Sequence, residues 1–176
     1  ADSISLNTSD TSEINAIAGT GAGAGVAAFG AAVTTNDIGN TIKAGIDGST
    51  VTVAGELTIS ATSGATVDST TVAGVGSSIA LAGSVSETDI ENTVEAFISG
   101  GAIVAAGSVS LLSRSNNKAN SSTNGIVVGG VALGFVESTA NDHGTTSAYL
   151  DGIGTLETDE LSLLASGTST ASAEAI

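Results

Sequence analysis

The sequence predicts an all-β fold, a parallel β-solenoid of about two coils per 52-residue repeat, on three observations. The chain repeats itself, its apolar residues alternate with small polar ones, and its large side chains are too few for an ordinary globular core. The repeat comes first, because a fixed period is the mark of stacked units. A shift of 52 residues lays NTIKAGIDGSTVTVAGELTISA (40–61) over NTVEAFISGGAIVAAGSVSLLS (92–113), and a second lays both over GTTSAYLDGIGTLETDELSLLA (144–165), without a gap. Ala44, Ala96 and Ala148 coincide, as do Ile46, Ile98 and Leu150, then Gly48, Gly100 and Gly152, then Ile59, Leu111 and Leu163. The chain divides into a partial repeat at 1–19 and repeats at 20–71, 72–123 and 124–176, joined in one continuous solenoid. SISLN at 3–7 matches ELTIS at 56–60, so both termini fall inside a repeat and the chain reads as a piece of a longer protein.

Within a copy, Ala44 and Ile46, then Val51 and Val53, then Leu57, Ile59 and Ala61 follow the period of two that marks strands. Asp47-Gly48, Ser99-Gly100 and Asp151-Gly152, then Ala54-Gly55 and Ala106-Gly107, stand between these runs, where glycine reaches positive φ and the chain turns a corner. Three short strands and two corners make one coil. The stretch 62–90 alternates with few breaks and supplies a second coil with longer sides. At an interstrand spacing of about 4.8 Å, two coils give each copy roughly 10 Å of rise and the chain a length of roughly 30 to 35 Å.

GTGAGAGVAAFGAAV (19–33) is uncharged and holds little larger than valine. In the repeat register Ala27, Ile79 and Val131 align, as do Phe29, Leu81 and Leu133, while Ala31, Gly83 and Phe135 compensate in size. These columns are expected to point inward, with Ala28, Ala80, Ala132, Gly30, Ala82 and Gly134 between them leaving a small outer face. A membrane helix is disfavoured: five glycines between 19 and 30 each cost a helix roughly 1 kcal/mol against alanine. The aligned segment also carries Ser77, Ser78, Ser84 and Ser86, so the chain is not expected to span a membrane.

Charge narrows the partners. Eighteen acids against three basic residues give a net charge of −15, which repels nucleic acid and anionic lipid and keeps a sticky surface soluble. With no cysteine there is no disulfide framework and no thiolate metal site.

The long Gly/Ala/Val strand followed by TNDIGNT, A-x-I-x-G, V-x-V-x-G and L-x-I-x-A resembles the repeat region of giant bacterial surface adhesins, the leukotoxin-like and filamentous-haemagglutinin-like secreted proteins. The resemblance implies a right-handed β-solenoid stalk, extracellular or on the bacterial cell surface, used for adhesion or as a filament. Its implied partner is itself, by end-to-end stacking or continuation of the same chain, with lateral bundling and host or cell-surface glycans as further contacts.

Candidate sites are few. Catalysis by a β-helix of the lyase type needs clustered carboxylates with a cation beside them, but Lys43, Arg114 and Lys118 recur at no repeat position, so no enzyme is expected. His143, in ANDHGT, reads as a solvated turn. Asp37, Asp89 and Asp142, in the corners TTNDIGN, SETDIEN and STANDHG, are oxygen ligands of the kind calcium takes. Their expected recurrence about 10 Å apart is too far for one ion to bridge, which favours a solvated acidic edge. An ice-binding threonine array fails, since Thr50 and Thr52 align with Ala102 and Val104. Gly45, Phe97 and Tyr149 share a column opposite to Ala44 and Ile46. Phe97 and Tyr149 are therefore outward aromatics able to stack on a sugar ring or on a neighbouring rod.

Overall fold

The computed structural model describes residues 1–105 and 107–176; Ala106, assigned above to a corner, lies outside the described residues. Among the described residues the secondary structure is all strand. The first copy holds β1 (Ile4–Asp10), β2 (Glu13–Gly23), β3 (Ala27–Ile38), β4 (Thr41–Asp47) and β5 (Thr50–Val53). The second holds β6 (Leu57–Ser63), β7 (Thr66–Gly76), β8 (Ile79–Ile90), β9 (Thr93–Ser99) and β10 (Ala102–Ala105). The third holds β11 (Ser108–Val128), β12 (Val131–Asp142), β13 (Thr145–Asp151) and β14 (Thr155–Glu157), and β15 (Glu160–Ala175) begins a fourth.

Every strand pairs in parallel with its counterpart one copy away. The large sheet runs β1-β6-β11-β7-β2 with β15 added on β11, and three smaller sheets run β12-β8-β3, β13-β9-β4 and β14-β10-β5. Leu57 lies opposite Val109, Ala27 opposite Ile79 and Ala44 opposite Ala96, 52 residues apart in each case. Among the described residues no ladder joins strands at half that distance, so each copy contributes one layer of strands where two were expected. The physical reason is visible in β7. The stretch after Ser63 contains no corner that reverses the chain; β7 lies in line with β6 on the same side, and in the third copy the two merge into the 21 residues of β11. Unbroken alternation made the sides long and added no turn. The rise per copy is then about 4.8 Å, and the run β1-β6-β11-β15 is about 14 Å deep.

Two single-residue slips interrupt the repeat. Ile4 pairs with Leu57 and Glu13 with Thr66, 53 apart, because residues 24–26 bridge a turn that residues 77–78 bridge with one fewer. Thr155 pairs with Ala102, so the ungapped alignment fails over β14, where residues 152–154 fill the corner. The first corner uses glycine for conformation: φ is +60° at Gly48, +64° at Gly100 and +59° at Gly152. The second uses it for space. Gly55 has no positive φ, but a Cβ there would stand 2.6 Å from the carbonyl oxygen of Asp2.

The interior alternates between apolar and polar zones. At the broad end Leu57, Ile59, Val94, Ile98, Ile103 and Leu111 are fully buried, as the alternation in 40–61 predicts. Next comes a belt of amides and hydroxyls. Asn92 Nδ2 donates to Ser63 Oγ at 3.0 Å, Ser63 Oγ donates to Asn117 Oδ1 at 3.3 Å, and the Asn40 backbone N–H donates to Asn92 Oδ1 at 2.9 Å. A second apolar zone of Ile38, Val67, Ile90 and Ala119 follows. Beyond it Thr34, Ser69, Ser86, Ser121 and Ser138 join hydroxyl to hydroxyl at 2.8 to 3.0 Å across the facing sheets. The narrow end is closed by Ala28, Ala32, Ala73, Val75, Ala80 and Ala82.

That narrow end reverses the expected wall. Ala28, Ala80 and Ala82 are the buried residues, while Phe29 is 69% exposed, Leu81 44% and Leu133 65%. The facing sheets approach too closely for bulk: a Cβ on Gly30 would stand 2.8 Å from Val75 Cγ2. Opposite Val75 the strands β3, β8 and β12 have room only for alanine and glycine, so their large side chains stand outside. Among the described residues no helix is long and apolar enough to cross a membrane.

Candidate functional surfaces

The three acidic candidates separate onto two faces. Asp37 lies opposite Asp89, and Asp89 opposite Asn141, on the outer face of β3-β8-β12. With one layer per copy these neighbours are about 4.8 Å apart along the ladder and not 10 Å, so the distance argument against a shared cation no longer holds. Asp142 pairs with Ile90 and therefore turns inward. There its Oδ1 accepts from Gly144 N at 3.1 Å and Asn117 Nδ2 at 3.4 Å, which occupies it as a structural acceptor. Among the described residues no group of three or more histidine, cysteine, aspartate or glutamate side chains is placed to hold a metal ion. His143 is exposed in the corner after β12, and its backbone N–H bonds the Ile90 carbonyl at 2.9 Å.

Phe97 and Tyr149 are brought together on the outer face of β4-β9-β13. Their rings stack with centroids 5.6 Å apart and planes inclined by 13°. Phe97 also covers Gly45, where a Cβ would fall 2.5 Å from the ring carbon Cε1. Phe97 is thus enclosed between Gly45 and Tyr149, and the free ring surface of this column belongs to Tyr149, which is 36% exposed. One step along the same face, Lys43 pairs with Glu95 at 2.8 Å across the β4/β9 ladder. The hydrogen bond and charge of Glu95 hold the Lys43 ammonium above its ordinary value.

The two ends of the stack present interior surface. Leu57, Val109 and Leu161 occupy one column; the first two are fully buried and Leu161 is 41% exposed. Ile59, Leu111 and Leu163 repeat the pattern. Small polar hollows open at the same ends, one beside Asp10, Asn40 and Lys43 and one beside Asn117, Asp142 and Gly144.

The surface missed from sequence is the apolar one at the narrow end. A parity signal for it was present: Leu81 and Asp89 lie eight residues apart on the unbroken strand β8 and must share a face. An outward Asp89 therefore requires an outward Leu81. No family model, curated protein or solved structure matches the chain.

Proposed function

We propose that the chain is a structural segment of an extracellular β-solenoid fibre or adhesin stalk of bacterial origin, continuing head-to-tail into further repeats, and non-catalytic. The stacked copies are then successive coils of one solenoid, right-handed as parallel crossovers almost always are. The observation that carries the reading is the half-exposed core at the ends of the stack. Leu161 and Leu163 sit in columns that are sealed one layer earlier, and one more copy would bury them. The outer strands also leave backbone donors and acceptors facing along the axis, a template for parallel pairing. Chains of two, three, six and nine tandem copies test this. Melting temperature is expected to climb with copy number as nearest-neighbour stacking requires. A three-copy chain that is monomeric and as stable as nine copies would overturn it.

A glycan-binding wall is the second reading, favoured by the free face of Tyr149 at the end of the ring stack. Tyr149→Ser is expected to abolish binding to a glycan array while leaving the fold intact, and an unchanged array profile would exclude this reading.

A further inference from the structure

The narrow end carries two unlike apolar faces back to back. On the front, the outer face of β3-β8-β12, Phe29, Ile79, Leu81, Val131, Leu133 and Phe135 project into solvent. On the rear, the outer face of β2-β7-β11, Gly21 lies opposite Gly74 and Gly23 opposite Gly76, bounded by Ile126 and Val128. This floor is open: a Cβ at Gly21 would meet nothing within 4 Å, and one at Gly74 only the Thr20 carbonyl at 4.0 Å. The front carries projecting side chains around a shallow apolar hollow floored by Ala31 and Gly83, and the rear is an open glycine floor, 

and we propose that the front of one copy of this chain docks on the rear of a second copy.

Charge selects that occupant. The chain carries a net charge of −15, yet neither face holds an ionisable group over Ala27–Ala31 and Gly19–Gly23 or in the residues paired with them; on the front the first carboxylate is Glu137, in the column of Val33 and Val85. Two copies repel wherever their carboxylates meet, and these faces are where they approach without that cost. A basic partner would be drawn instead to the acidic edge at Asp37, Glu87 and Asp89. Because the two docking faces differ, the contact does not close into a dimer and propagates as a row of copies side by side.

Area sets the strength. Five residues along three strands cover about 17 Å by about 14 Å, roughly 240 Å² per face, against about 800 Å² per partner in a stable complex. Single copies should therefore associate only in roughly the millimolar range. Each further layer in register adds about 80 Å² per face, so longer stacks adhere and short ones stay dispersed. The contact runs across the stacking axis of the proposed fibre, so it is tested separately from head-to-tail continuation.

The chain contains no cysteine, which allows disulfide trapping without a background. Leu81→Cys reports the front, Gly74→Cys the rear, and Glu87→Cys the acidic edge as a control. The expected result is that, at about 1 mM chain, mixed Leu81→Cys and Gly74→Cys chains crosslink at least tenfold faster than either alone or than the control. Adding Phe29→Ser and Leu133→Ser, both on exposed positions that leave the interior untouched, should abolish the advantage with the circular dichroism spectrum unchanged. Faster crosslinking of Leu81→Cys with itself, or equal rates in all mixtures, would overturn the proposal. Ser5→Cys with Ser162→Cys, which occupy one outward column at opposite ends, reports head-to-tail stacking in the same assay and distinguishes the failure of either idea.

Discussion

Ser84 and Ser86 point the same way from β8 and are both fully buried, but their hydroxyls meet different surroundings. Ser86 Oγ is bonded to Thr34, Ser69 and Ser121, whereas Ser84 Oγ has no partner. Ser86→Ala should cost about 1–3 kcal/mol by stranding those hydroxyls. Ser84→Ala removes an unsatisfied group and should stabilise by about 1 kcal/mol. Urea melts of the two variants are expected to move in opposite directions. The corner glycines make a second contrast. Gly48 has φ +60° with open space where a Cβ would go, so Gly48→Ala should cost about 1–2 kcal/mol of left-handed strain. Gly101 has φ +69°, and its Cβ would also collide with the Ser49 carbonyl. Gly101→Ala should therefore be clearly the worse of the pair in the same melts. Lys43 gives a signed pH effect. Its folded pKa lies above the 10.5 of the unfolded chain, so the stabilisation from Glu95 is complete below 10.5 and is lost as pH rises through the folded value. Lys43→Met should flatten that alkaline slope in a pH series of melting temperatures.

The length of a copy was legible in the sequence; the path of the chain within it was not. The register of β6 on β11 follows from aligned Leu57 and Val109, Ile59 and Leu111, which share an apolar column that a one-residue slip would turn to solvent. Whether 52 residues close one turn or two depends on how far a side can run before it must bend, and alternation carries no information on that. Deleting residues 54–105, one full period, should keep every remaining ladder in phase and preserve the β spectrum. Deleting 26 residues from the same region should unfold the chain, because it removes part of a side; a folded product would restore the two-coil arrangement. Phase at the narrow end is hidden from the sequence for a different reason. Ranking residues by size places Phe29 and Leu81 inside, but size decides burial only where the sheets stand far enough apart to accept it. Gly30 facing Val75 sets that separation, and such a contact between strands distant in sequence has no local signature. Of the candidate sites, the pairing of Phe97 with Tyr149 could be read from the shared column, whereas the inward turn of Asp142 required knowing which parity β12 presents.

One strand spacing per copy also fixes how charge is distributed along the axis. A net charge of −15 on a stack four strands deep, about 14 to 19 Å of axis, is roughly one elementary charge per Å. Duplex DNA carries one per about 1.7 Å and surrounds itself with condensed counterions for that reason. The body here is wider than a duplex, which dilutes the field, but the ordering is clear: unfolding spreads the same carboxylates over a far longer chain and releases the cations that folding gathers. Stability should therefore rise with the logarithm of ionic strength, with thermal melts in sodium chloride between about 10 and 500 mM as the measurement, a range over which the screening length falls from about 30 Å to about 4 Å. A melting temperature that falls with added salt would mean that the Lys43–Glu95 pair outweighs the repulsion. The stack behaves as a polyelectrolyte whose own ionic atmosphere is part of what holds it folded.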